Sequence, residues 1–124
     1  MTETKSKKLL IVDDEPNLRL LYEAEFKALG YKVVLAADGP EAIKLVESEK
    51  PDLVILDLRM PGMDGIETMS QILSHNNQLP IIINSAYSHY KENFMSWSAD
   101  AYVVKSSNTT ELKAKVAELL GGGE

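Results

Sequence analysis

The chain has no cysteine, which excludes a disulfide framework and any thiolate metal site. No apolar run approaches the roughly 20 residues needed to span a bilayer, and the polar stretch from Met1 to Lys8 has no signal-peptide core. Basic charge is also scarce. Lys and Arg number 13 against 19 Asp and Glu, for a net charge of −6, so the clustered cations that grip nucleic-acid phosphates are missing. These absences point to a cytosolic location, with no direct nucleic-acid partner and no membrane partner. The 124 residues suffice for one domain that buries about two-thirds of its unfolded surface. We expect residues 1–124 to form that domain, with a core over about 8–120 and the tail after Leu120, Gly121 to Glu124, as a flexible end or a truncated linker.

What is present is a set of short, unbroken apolar runs. Leu9 to Val12, Leu53 to Leu56 and Ile81 to Ile83 read as strands buried on both faces. Tyr31 to Ala36 carries Lys32 inside it and reads as an edge strand; Ala101 to Val104 is the fifth. Between strands the period turns helical. Pro16 suits a first turn, with Leu18, Leu21, Tyr22, Phe26 and Leu29 on one face before Gly30. Pro40 opens a second helix with Ala42, Leu45 and Val46 inward, and Ile66, Met69, Ile72 and Leu73 mark a third after a turn at Pro61 and Gly62. A fourth helix is expected from about Ser88 to Trp97. Asn108 and Glu111 resemble a capping pair for a fifth, whose inner face is Leu112, Val116, Leu119 and Leu120. Five strands alternating with five helices imply an α/β fold with a parallel sheet, right-handed crossovers and helices on both faces.

A parallel sheet brings the residues that follow its strands to one rim, where open α/β folds place their chemistry. Those residues are Asp13 with Asp14, Asp57, Ser85 and Lys105. Each has an ordinary explanation alone: Asp14 as a helix cap, Asp57 as a turn acid, Ser85 as a turn residue and Lys105 as a solvated cation. Together they form a candidate site. Three clustered carboxylates require raised pKa values or a cation, and Mg2+ (or Mn2+) suits carboxylate and phosphate oxygens. An Asp beside such an ion can serve as nucleophile toward phosphorus. Lys105 and Ser85 are then placed to offset charge on, and donate a hydrogen bond to, the phosphoryl oxygens. Neither His75 nor His89 is needed.

This ordered set, Asp13 and Asp14, the block Asp57 to Gly65, Ser85 with Ala86, and Tyr102 three residues before Lys105, resembles the receiver domain of bacterial two-component response regulators over nearly the full chain. The resemblance implies a flavodoxin-like doubly wound sheet of order 2-1-3-4-5. It also implies phosphorylation of Asp57 by a histidine kinase or histidine phosphotransferase, in a phosphorelay. Mg2+ would be held by Asp13 or Asp14, Asp57 and the backbone carbonyl of Arg59. Family knowledge assigns Ser85 and Tyr102 to the switch, Ser85 moving toward the phosphoryl group and Tyr102 turning inward behind it. The surface of the fourth helix, fifth strand and fifth helix would then engage a downstream protein target, and a phosphorylation-dependent homodimer is allowed.

Two features depart from the family. Ser106 stands where a proline usually follows the lysine. A cis bond before a non-proline costs about 3 kcal/mol, so a trans Lys105–Ser106 bond is expected. Secondly, Tyr87, Tyr90, Phe94 and Trp97 lie at helical spacing in a chain with eight aromatics; they are either core packing or a partner-binding face. Rival readings are weaker. A haloacid-dehalogenase-like phosphatase needs a second Asp where Arg59 stands, and a flavin- or nucleotide-binding module needs a Gly-, Ser- or Thr-rich loop where Asp13, Asp14 and Glu15 stand. A receiver that binds partners without phosphorylation is the nearest alternative.

In the family, Arg59 and Tyr87 occupy the positions two beyond Asp57 and Ser85 that flank the phosphoryl group, where bulk obstructs the attacking water. Tyr87→Ala should therefore shorten the phosphorylated state, measured as phosphoryl loss after removal of the phosphodonor; an unchanged lifetime would remove Tyr87 from this role.

Overall fold

The computed structural model describes residues 7–58, 65–86, 99–106 and 108–121. The elements run β1 (Lys8–Val12), α1 (Pro16–Ala28), β2 (Lys32–Ala36), α2 (Gly39–Glu49), β3 (Leu53–Leu56), α3 (Gly65–His75), β4 (Ile81–Ser85), β5 (Ala101–Val104) and α4 (Thr110–Leu119). The helix expected from Ser88 to Trp97 and the turn at Pro61 and Gly62 lie outside the described residues. The C-terminal helix is therefore labelled α4.

The strands pair in parallel in the order β2-β1-β3-β4-β5, the flavodoxin-like order expected. In register, Leu10 faces Val54, Ile55 faces Ile82, and Ile83 faces Tyr102. β2 is an edge strand, with Lys32 exposed at its start, as a charged residue in a strand would have it.

Alternation along each strand sends side chains to two apolar layers. One layer joins Leu10, Val12, Val54, Leu56, Ile81 and Ile83 to Ala42 and Val46 of α2 and Met69 and Ile72 of α3. The other joins Leu9, Ile11, Leu53, Ile55 and Ile82 to Tyr22 and Phe26 of α1 and Leu112 and Val116 of α4. Fully burying one such aliphatic or aromatic side chain contributes about 1.5–3 kcal/mol, so the three apolar runs at the sheet centre dominate the core.

The helical faces are narrower than the apolar periodicity implies. Leu21, Leu29 and Ile66, expected to face inward, are 38%, 55% and 38% exposed. On α1 the strip against the sheet is the i, i+4 pair Tyr22 and Phe26, with Leu18 half-buried beside it; Leu21 sits a helical step off that line and Leu29 is already the C-cap.

Helix starts differ from expectation in a similar way. Asn108 does not cap α4 with Glu111. Thr109 is the N-cap residue, with no side-chain cap bond, and Asn108 Oδ1 accepts from the Thr110 N–H at 2.9 Å, closing an Asx turn one residue earlier. α2 has the reciprocal arrangement instead: Asp38 Oδ1 accepts from the Glu41 N–H at 2.9 Å, and Glu41 Oε1 accepts from the Ala37 N–H at 2.8 Å.

The start of α3 is pressed against β3. The Gly65 N–H donates to the Leu58 carbonyl at 2.9 Å, and a Cβ on Gly65 would lie 2.5 Å from the backbone oxygen of Asp57 and 2.6 Å from Leu58 Cα. Both obstacles are main chain and cannot rotate away. Gly65→Ala should therefore push the strand end from the helix and destabilise the protein by about 1–3 kcal/mol, read as a lower urea midpoint.

Candidate functional site

The site forms where the parallel ladder runs one residue past its strands. The Asp57 N–H donates to the Val12 carbonyl at 3.0 Å, the Asp13 N–H to the Ala36 carbonyl at 3.1 Å, and the Lys105 N–H to the Ser85 carbonyl at 2.7 Å. Each side chain thus leaves the rim from a backbone position fixed by its neighbouring strand.

Lys105 Nζ lies 2.8 Å from Asp13 Oδ2 and 3.4 Å from Asp57 Oδ2. Asp13 and Asp57 are buried and Asp14 is the most open of the three acids. Carboxylate oxygens of Asp13, Asp14 and Asp57 all lie within 4.8 Å of one another. Burial alone would lower the Lys105 pKa, but the hydrogen bond to Asp13 and the charges of Asp57 and Asp13 outweigh it and hold the ammonium above its ordinary value.

The acid loop is tied down from several directions. Asp13 Oδ1 accepts from the Glu15 N–H at 3.0 Å, and the Asp13 carbonyl accepts from Arg19 Nη1 at 2.7 Å. Glu15 is the N-cap residue of α1, which has no side-chain cap bond, so Asp14 does not cap that helix. Asp14 points its carboxylate to the shared cluster instead. Three carboxylates against one ammonium leave two negative charges. That donor set, all oxygen and doubly negative, fits a hard divalent cation.

Of the other residues singled out from the sequence, Ser85 is fully buried at the end of β4 and its carbonyl anchors Lys105. Tyr102 is 3% exposed and belongs to the layer under α2 and α3, so its ring is already inward in this structure. The Lys105–Ser106 bond is trans, there being no cis peptide among the described residues. Arg59, Tyr87, Tyr90, Phe94 and Trp97 lie outside the described residues.

Three contributors escaped the sequence reading: Arg19 and Asn84, which have no role in it, and Gly65, which enters it only as part of the block after Asp57. Asn84 Nδ2 donates to Tyr22 Oη at 2.9 Å in the buried layer beneath α1. The partners are 62 residues apart, and the one available signal was an amide in an otherwise apolar strand.

A doubly wound sheet carrying three carboxylates and a lysine at its carboxyl rim defines a receiver-type phosphoacceptor module. The response regulator receiver domain model matches residues 9–117, and the chain belongs to that family, a component of two-component signalling. The regulator TrrA of Thermotoga maritima, solved in complex with Mg2+ and BeF, is 48% identical, with a TM-score of 0.86 over 91% of this chain and 98% of that one. TrrA in complex with the histidine kinase ThkA gives a TM-score of 0.85 over 92% and 98%. The alkaline phosphatase synthesis transcriptional regulatory protein PhoP of Bacillus subtilis is 36% identical over 121 residues, 96% of this chain and 50% of PhoP. The chain spans about half the length of curated relatives such as this one. Among the described residues no helix is long and apolar enough to cross a membrane.

Because the folded pKa of Lys105 lies above the unfolded value of about 10.4, its stabilisation is complete below that pH and is lost as pH climbs through the folded value. Lys105→Met removes the cation that faces two buried carboxylates, so in metal-free buffer it should cost up to about 3 kcal/mol at neutral pH. Urea unfolding should show the gap to the parent closing as pH rises past about 10.4.

Proposed function

We propose that Asp57 is the phosphoacceptor of a phosphorelay and that residues 1–124 act as one receiver domain in the cytosol. The observation that carries this reading is the ammonium of Lys105 spanning Asp13 and Asp57, with Asp14 completing an oxygen cluster. Asp13, Asp14 and Asp57, with the Arg59 carbonyl, would hold Mg2+ or Mn2+, which supplies charge neutralisation toward a phosphoryl group. A carboxylate oxygen of Asp57 forms the new O–P bond as the donor's N–P bond breaks. The imidazole of the donor keeps that electron pair and takes a proton from solvent. Lys105 then neutralises phosphoryl oxygen charge, and Ser85 donates a hydrogen bond to it.

The donor is a histidine kinase or histidine phosphotransferase, a reading supported by the structure of the histidine kinase ThkA in complex with TrrA. A small phosphodonor transfers its phosphoryl group to the same carboxylate, its leaving group keeping the electrons of the broken bond to phosphorus, and water later hydrolyses the acyl phosphate to the free carboxylate and inorganic phosphate. Phosphorylation is read by Ser85 and Tyr102 and passed to a downstream protein target, or to a second phosphorylated copy, through the surface of the helix expected from about Ser88 to Trp97, β5 and α4, with Tyr90, Phe94 and Trp97 as candidate contacts.

Incubation with a small phosphodonor and Mg2+ should add one phosphoryl group, seen by intact-mass spectrometry, and Asp57→Asn should abolish it. Undiminished incorporation in Asp57→Asn would overturn the assignment. Continuous turnover would indicate a phosphatase, and no incorporation by the parent a partner-binding receiver.

A further inference from the structure

Alternation along β4 places Ile82 in the layer beneath α1 and Ile83 in the opposite layer. Asn84 follows Ile82 into the first of these, among apolar neighbours, where both it and Tyr22 are 2% exposed. A carboxamide there is tolerated only if it is hydrogen-bonded, and the Tyr22 hydroxyl accepts from it at 2.9 Å. Burial pushes the Tyr22 phenol up from its ordinary pKa, so it stays a neutral hydroxyl, yet it feels the charges of Lys105, Asp13 and Asp57. Asn84 adjoins Ser85 at the end of β4, so the pair borders the site without belonging to it.

Its position in the chain gives it leverage. Asn84 immediately precedes Ser85, whose carbonyl holds the Lys105 N–H at 2.7 Å. Tyr22 lies one turn after Arg19, whose guanidinium holds the Asp13 carbonyl at 2.7 Å. Helix α1 thus grips both halves of the rim, the acid loop through Arg19 and the exit of β4 through Tyr22. Apolar contact would hold the helix on the sheet but would let it slide; two directional hydrogen bonds fix its register.

We propose that Tyr22 and Asn84 are positioning residues for phosphoryl transfer, setting the β4 exit, and with it Ser85 and Lys105, against Asp57. The inference rests on Asp57 being the phosphoacceptor. A small misplacement of groups that meet a transferring phosphoryl group is costly, on the order of tenfold to a hundredfold in rate.

The test compares the parent, Tyr22→Phe and the double variant Tyr22→Phe/Asn84→Leu for thermal unfolding, Mg2+ affinity and Mg2+-dependent phosphoryl uptake from a small phosphodonor. Tyr22→Phe keeps the ring but strands the amide, so it should unfold at lower temperature; the double variant replaces both partners with apolar groups and should recover. Phosphoryl uptake should fall about tenfold in Tyr22→Phe and stay low in the double variant, with Mg2+ affinity within about twofold of the parent. The Ser85 amide resonance should shift in both variants. Uptake within about twofold of the parent in both, or uptake that recovers with stability in the double variant, would reduce the pair to core packing and overturn the proposal. A parallel loss of Mg2+ affinity would overturn it by making the effect one of metal binding. A parent that takes up no phosphoryl group would instead bring down the phosphoacceptor reading, and this inference with it.

Discussion

Everything at the rim depends on one ammonium between two buried carboxylates. At separations of about 4 Å, like charges repel by about 4 kcal/mol at an effective dielectric of about 20, and Asp13 and Asp57 are both nearly out of solvent. Lys105 at 2.8 and 3.4 Å makes that proximity tolerable. Its own burial is offset by the same contacts, which is why its pKa rises rather than falls. The bridge forms only because three strands end level with one another and each passes a main-chain hydrogen bond one residue further. The site is a consequence of register.

That dependence explains which parts were legible from the residues alone. Runs such as Leu53 to Leu56 and Ile81 to Ile83 identify central strands because a strand buried on both faces has no polar alternation to obscure it. Parallel order then carries Asp13, Asp57 and Lys105 to one edge without knowledge of any contact between them. Lys32 marked the sheet edge for a similar reason, since a central position would have buried its charge.

Periodicity was less informative where it met a curved contact. It assigned Leu21, Leu29 and Ile66 to inner faces, but a helix lying on a sheet buries only a strip, and these three fall beside it. Local polar chemistry was ambiguous too: Asn108 has the residue type of an N-cap, and only the backbone conformation decides that it closes the preceding Asx turn. The contacts least visible in the sequence are those made through one polar atom, Arg19 reaching back to the Asp13 carbonyl and Tyr22 meeting Asn84 from a distant segment. Beyond the amide in an apolar strand, no pattern in the chain announces them, because their meaning exists only once α1 is laid across the sheet.

The same contacts bear on how a rim event reaches a surface. A phosphoryl group can shift a conformational equilibrium only through contacts that differ between the two states. Tyr102 is already buried here, so bringing its ring inward is not work that phosphorylation must perform on this conformation. What remains is the exit of β4, where Ser85 ends a strand and anchors Lys105 through its carbonyl. If Lys105 turned from Asp13 toward new phosphoryl oxygens, the Asp13 carboxylate would lose its cationic partner and a divalent ion would be the natural replacement. Under the proposed phosphoacceptor reading, charge balance would couple metal binding to phosphorylation: the ammonium that offsets part of the acid cluster's charge would be free for a phosphoryl group where a cation held the carboxylates instead.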